Sequence, residues 1–497
     1  MTNLATVFDR HPDDAVALIS RGRTTTYGEL GRQVGSLRRS LSELGLRPGD
    51  RIGIICGNNW YFVVSYLAAL GAGLVSVPLN PTSPAIELQN QLAAVGARAV
   101  VVGPTARDVF AGVDAASIPS VEVFVGCGFA PNGGVDLTDL IDGESSPIVD
   151  CEDSDVAVAV FTSGTAGSPK AALLSHGNLR TNIAQALSIP GGGQSANDVV
   201  FGLLPLFHIF GLNVMFGTSF AVGASVLLVE RFDPISALEA IEKHQVTIVT
   251  GPPTMWSAWA NMPDAPTESL RSVRLAASGA ARLSEETARS IESRYGVRLH
   301  EGYGLTEASP IVSSTIGTFA PIGSVGIPVP GLEVRLVDDD GEDVLVGDAG
   351  ELWVRGPNVF LGYQGDEEAT ARTVDDDGWL HTGDVATVDD EGFLFLVDRV
   401  KDLIIVSGFN VYPAEVEEVL MQHPAIDACA VVGVPHPYTG EAVKAYVVTV
   451  KGQSVEEDDI VRFCAGRLAR YKCPRKVWFV DEVPQGMGGK ILRRALR

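Results

Sequence analysis

The stretch FTSGTAGSPK, residues Phe161 to Lys170, follows the apolar run VAVAV at Val156 to Val160. A β-branched run that opens into glycines, hydroxyl side chains and a lysine reads as a strand feeding an anion-binding turn. The spacing departs from the commonest such loop. A G-x-x-x-x-G-K-[ST] loop needs a second glycine five residues after the first, and here Pro169 holds that place after Gly164. Proline also removes a backbone donor beside Lys170. What remains is a stiffened loop whose hydroxyls at Thr162, Ser163, Thr165 and Ser168 suit the outer phosphates of ATP. Taken alone, a loop of this composition is more often a plain connection.

The chain has 497 residues, 46% hydrophobic and 20% charged, enough for about three domains with large cores. Its net charge of −24 disfavours nucleic acid and anionic membranes as partners and suits a solubilising surface. The six cysteines are scattered without CxxC or Cys/His ligand spacing, so neither zinc nor a disulfide framework is indicated. Reduced thiols and a start lacking a charged-then-apolar leader fit a cytoplasmic protein. Tyr61 to Leu79 is long enough to span a bilayer, but Gly71-Ala72-Gly73 and Pro78 divide it into a buried helix and a short strand. Phe201 to Val229 is broken up by Pro205, His208, Gly211, Gly217 and Gly223, so no transmembrane segment is expected.

Short β-branched runs at Arg51–Ile55, Ala99–Val102, Val156–Phe161, Ser225–Val229 and Val246–Val249 alternate with helical patterns. That alternation predicts an α/β fold: a large N-terminal domain of mixed and parallel sheets flanked by helices. From Gly350 the texture turns to short strands with DG and EG turns, predicting a small β-rich subdomain. Beyond Arg399 a helix over Ala414–Met421, strands over Ala428–Val434 and Ala442–Val450, and a helix over Val455–Leu468 predict a compact α+β module. Its end, from Val461 to Arg497, carries ten Lys/Arg against Asp481 and Glu482, which reads either as a basic face or as a local anion site.

Three further motifs carry chemistry. EGYGLTE, Glu301 to Glu307, offers Tyr303 to stack on a purine, Thr306 for a phosphate oxygen and Glu307 for Mg²⁺; the bland alternative is a turn with a core tyrosine. LHTGD, ending at Asp384, with Arg399 further on, suits ribose hydroxyls. GGKILRR places Lys490 on a glycine turn as a mobile point charge.

In this order, together with LPLFHIFGL, GPPTMW, SGAARL, GSVGIPVPG, GELWVRGPNVFLGY and DRVKDLIIVSGFNVYPAEVE, the chain resembles the adenylate-forming superfamily of acyl-CoA synthetases over nearly its whole length. The terminal segment looks most like bacterial medium- and long-chain fatty acyl-CoA ligases. Ala166 and Ala171 replace a usual threonine and glycine of the phosphate loop, and Arg282 a usual proline.

The resemblance implies two steps: a carboxylate and MgATP give an acyl-adenylate and pyrophosphate, then CoA displaces AMP. It implies ATP contacts at Thr162, Ser163, Gly164, Thr165, Gly167, Lys170, Gly279, Ala280, Glu301, Gly302, Tyr303, Gly304, Thr306, Asp384, Arg399 and Lys490. It implies catalysis by Lys490, Glu307, Thr306 and His208, with Glu307 as metal ligand. The acyl and thiol pocket falls to Phe207, His208, Phe210, Gly211, Ser278, Gly302, Ser407 and Gly408. His208 alone would more often be a core histidine. The implied domains are residues 1–398, with the β-rich subdomain at about 322–398, and a mobile domain at 399–497 hinged at Lys401. A medium- or long-chain fatty acid is the first choice of substrate. The alternatives are an aryl acid, a dicarboxylate such as malonate held by Arg282 or Arg289, and delivery to a carrier protein. Peripheral membrane contact and a homodimer are compatible with this reading.

Overall fold

The computed structural model describes residues 2–162, 170–263, 265–281, 283–338, 341–399, 404–411, 413–484 and 496. The expectations for Ser163, Gly164, Thr165, Gly167, Lys401 and Lys490 lie outside these residues, as does Arg282.

Among the described residues, one sheet of eight strands runs in the order 362–363, 170–175, 156–162, 75–78, 51–55, 99–102, 123–126 and 135–136. Its interior pairs are parallel, whereas Val156–Thr162 and Lys170–Ser175 are antiparallel, so the phosphate-loop candidate joins the two arms of a hairpin. The parallel strands are apolar on both faces, as sheets covered by helices require. The stretch Tyr61–Leu79 resolves as expected into a helix, Trp60–Gly71, and a strand, Val75–Pro78. Asn59 caps that helix by accepting from the Phe62 N–H at 3.2 Å, and its all-round apolar surface is buried.

A second sheet of nine described strands includes Val199–Gly202, Ile248–Gly251, Leu275–Ser278 and Leu299–Gly304, all parallel. Their C-terminal ends open on one crevice, the usual ligand position of an open α/β sheet. Phe210–Gly217 forms a π-helix beside it. Gly211 is needed there, because a Cβ would fall 2.2 Å from the Pro205 carbonyl oxygen.

The β-rich expectation corresponds to a four-stranded antiparallel sheet of Glu333–Val337, Gly350–Arg355, Leu380–Val388 and Leu394–Arg399. The C-terminal segment folds as a separate sheet around the long hairpin Ile426–His436 and Gly440–Thr449, covered by the helices Pro413–Met421 and Glu457–Ala465. The first hairpin strand is longer than the sequence pattern suggests at both ends and the second starts earlier, because cross-strand pairing begins at Ile426–Thr449 and continues through Pro435–Glu441 to His436–Gly440. All six cysteines are free and buried. No helix among the described residues is long and apolar enough to cross a membrane.

Candidate active site

A cavity of about 410 Å³ opens at the crevice. Twelve residues singled out in the sequence line it: His208, Phe210, Ser278, Gly279, Ala280, Glu301, Gly302, Tyr303, Gly304, Thr306, Asp384 and Gly408. They come from five separate stretches of chain. Two of these stretches are strand ends, since Ser278 closes Leu275–Ser278 and Glu301–Gly304 closes the next strand, whereas Asp384 lies within the strand Leu380–Val388 and Gly408 in the turn after Ile404–Val406.

Tyr303 is buried, and its hydroxyl donates to Oδ2 of Asp384 at 2.6 Å, so the purine and ribose candidates are already joined. Arg399 stands directly across the sheet from Asp384 in strand register. Gly279 leaves room for the Phe210 ring, whose Cζ would lie 2.9 Å from an added Cβ.

The Glu307 carboxylate accepts from the Tyr363 hydroxyl at 2.6 Å. Lys170 lies over the same ring at 5.3 Å and pairs with Asp366 at 2.7 Å. Thus Tyr363 and Asp366, which the sequence reading missed, hold the phosphate-loop lysine close to the metal candidate. Thr162 Oγ1 donates to the Lys170 carbonyl at 3.4 Å, closing the hairpin below the loop. Magnesium takes most of its ligands from phosphates and water, so a single protein carboxylate suffices and Glu307 fits. Among the described residues no three His, Cys, Asp or Glu form an all-protein metal cage.

His208 Nδ1 accepts from the Phe210 N–H at 3.2 Å, which leaves Nε2 as the donor of the neutral ring. Burial pushes its pKa down to about 4, although part of the ring faces the cavity. At neutral pH it is therefore an uncharged hydrogen-bond donor between the nucleotide end and the apolar arm.

The C-terminal segment supplies the remaining wall. Ser407 and Ala280 both adopt left-handed backbone, at φ 52° and 67°, a strain that clusters at functional sites. Gly408 presses on Ala280, with a Cβ there falling 3.5 Å from the Ala280 Cβ. Phe409 stacks on Phe207 at 6.3 Å and on Tyr471 at 4.5 Å, and meets the His208 ring edge-on at 6.2 Å. Phe207, Gly211 and Ser407 thus support the cavity from behind its lining. Glu441, which no motif flagged, lines it and accepts from the Ile405 N–H at 2.6 Å. Arg289, a candidate dicarboxylate partner, is engaged with Glu285 on an exposed helix and does not line the cavity.

A family model described as AMP-binding enzyme matches residues 4–364, and one for the AMP-binding enzyme C-terminal domain matches residues 415–490. The chain belongs to the AMP-binding enzyme family. Its relatives make it an AMP-forming acyl-CoA synthetase. It is 38% identical over 97% of its length to a feruloyl-CoA synthase of Amycolatopsis sp, covering 95% of that protein. It is 37% identical over 97% of its length to a long-chain-fatty-acid–CoA ligase of Escherichia coli O157:H7, covering 91% of that protein. Among solved structures, an amide bond synthetase of Marinactinospora thermotolerans superposes with a TM-score of 0.90 at 33% identity, covering 100% of this chain and 99% of the other.

Proposed function

We propose that the enzyme joins an apolar monocarboxylic acid of bounded length, of the size of an arylpropenoate, to CoA at the expense of ATP. The observation that carries this reading is the arm of the cavity beyond His208. It is lined by Leu187, Ile189, Val214, Met215, Leu275 and Ile316, and no Lys or Arg stands among the described lining residues. Such an arm favours an apolar acid, each buried methylene contributing about 0.8 kcal/mol, and offers a second carboxylate no cation among the described residues. The feruloyl-CoA synthase relative agrees with an aryl acid. The long-chain-fatty-acid–CoA ligase relative favours a fatty acid as the second reading.

In the first step a carboxylate oxygen bonds to the α-phosphorus as the bond to the departing pyrophosphate breaks. Two anions meet there, so cationic and hydrogen-bonding groups must surround the reacting oxygens. In this reading Lys490 and Thr306 serve the α-phosphate, Glu307 holds Mg²⁺, and the 163–169 loop with Lys170 restrains pyrophosphate. Magnesium, when bound, offsets charge on the phosphates. Tyr303, Gly279 and Ala280 hold adenine, and Asp384 and Arg399 the ribose. In the second step the thiol sulfur attacks the acyl carbon, AMP leaves, and the Ser407–Phe409 turn flanks the thiol's path. Residues 1–398 and 399–497 act as the two domains, with Lys401 as the hinge.

The test is pyrophosphate release across cinnamates, straight-chain acids, malonate and amino acids, with and without CoA. Cinnamates or medium-chain acids should lead, with acyl-CoA and AMP as products, and Lys490→Ala should abolish pyrophosphate release. Malonate as the best substrate would refute the apolar-acid reading.

A further inference from the structure

We infer that the glycine-rich turn Pro190–Gln194 is the wall that limits acid length, and that the Asp198–Arg274 pair latches this wall shut. The inference rests on the reading that the acid occupies the apolar arm. The arm follows the strand Leu275–Ser278 backwards, with both Gly279 and Leu275 in its lining. Four residue steps make it about 13 Å long.

Ile189, Gly192, Gln194 and Ile316 are in the cavity lining, and the contact of Arg274 with the Gly193 carbonyl sets this turn beside Leu275. Two turns meet there, backbone on backbone. A Cβ on Gly317 would fall 1.6 Å from the Pro190 carbonyl oxygen, and one on Gly191 would fall 2.9 Å from the Gly317 Cα. A Cβ on Gly192 would lie 3.2 Å from Cγ2 of Ile316. Where Gly191 meets Gly317 the wall is therefore backbone on backbone.

Its far end is held by charge. Arg274, immediately before Leu275, donates from Nε and Nη2 to the two Asp198 oxygens at 2.8 and 2.6 Å. The same Nη2 donates to the Gly193 carbonyl at 2.7 Å. Asp198 is buried and also accepts from Ser195 N and Thr247 Oγ1, each at 2.8 Å. The bland role of this pair is to tie together the starts of neighbouring strands. That role does not need the contact with Gly193, which fixes the turn itself.

The experiment measures kcat/KM for pyrophosphate release with acids from butanoate to hexadecanoate and with cinnamates bearing growing para-alkoxy groups. In the wild type, kcat/KM should rise about fourfold per methylene to a maximum and then fall. Arg274→Gln, and separately a Gly-Gly insertion after Gly193, should each move the maximum to an acid at least two methylenes longer. The insertion keeps the ion pair, so it decides the matter even where Arg274→Gln does not fold. A purely structural role for the pair predicts lower stability with an unmoved maximum. An unmoved maximum in the insertion variant, with butanoate turnover retained, overturns the inference. Absence of pyrophosphate with every acid overturns the proposed function itself.

Discussion

Lys472 Nζ stands 3.2 Å from Oε1 of Glu87, joining the segment matched by the C-terminal family model to the one matched by the first. The same ammonium lies 2.7 Å from Glu415, and all three side chains are buried. Burial opposes the charge on Lys472, but Tyr471 and the two carboxylates outweigh it and raise its pKa, so it stays charged. Burial raises the Glu415 pKa in turn. Tyr471, next in sequence, stacks on Phe409, so this contact fixes the ring that faces His208.

Any turn of the C-terminal segment must part Lys472 from Glu87. A hydrogen bond to a charged group contributes about 1.5–3 kcal/mol. Glu87→Ala should therefore slow acyl transfer to CoA about tenfold or more, while ATP–pyrophosphate exchange stays at the wild-type rate. Equal losses in both half-reactions would speak against a role in orientation.

Acid should destabilise the fold through His176. It is buried, its Nδ1 accepts from the Leu4 N–H at 2.9 Å, and burial lowers its pKa to about 4. The unfolded chain takes up the proton near 6.5 and the folded chain only near 4. The stabilisation is therefore complete above about 6.5 and lost as the pH falls towards 4, to the extent of about 3 kcal/mol. His208 adds to the same trend. Urea unfolding across this range should show the slope, and His176→Gln should reduce it.

The Tyr303–Asp384 bond should show in ATP affinity. Tyr303→Phe keeps the ring and removes a 2.6 Å bond to Asp384, so it should raise the KM for ATP about tenfold with little change in kcat. Asp384→Ala should raise it further. An unchanged KM in both variants would remove Asp384 from the ribose site.

Glycines 317 and 323 separate two costs. Both have positive φ, at +74° and +88°, but a Cβ on Gly317 meets the Pro190 oxygen whereas one on Gly323 meets open space. Gly317→Ala should lower the unfolding midpoint by several degrees more than Gly323→Ala, the excess reflecting overlap of about 1–3 kcal/mol. Equal midpoints would mean the Pro190 turn moves aside freely.

Much of this was legible because it is local. Arg51–Ile55 and Ala99–Val102 are strands at the expected residues, since an unbroken β-branched run between turns has few alternatives. The nucleotide cradle was legible because each of its motifs carries its own chemistry in a short local stretch, whether at a strand end such as Glu301–Gly304 or within a strand such as Leu380–Val388. The acid's pocket was not. The π-helix Phe210–Gly217 is apolar but for Asn213 and shows no periodicity to read. The wall at Pro190–Gln194 exists only through Gly317 and Arg274, residues about a hundred positions away. Tyr363 and Asp366 were missed for the same reason, each being remarkable only for what the fold brings beside it.

The burial of all six cysteines has a practical side. A thiol-reactive dye added to the native enzyme should colour only with CoA, so the dye's loss of signal counts acyl transfers one by one. The same dye should find protein thiols as soon as the fold opens, which makes one reagent both a turnover meter and an unfolding alarm.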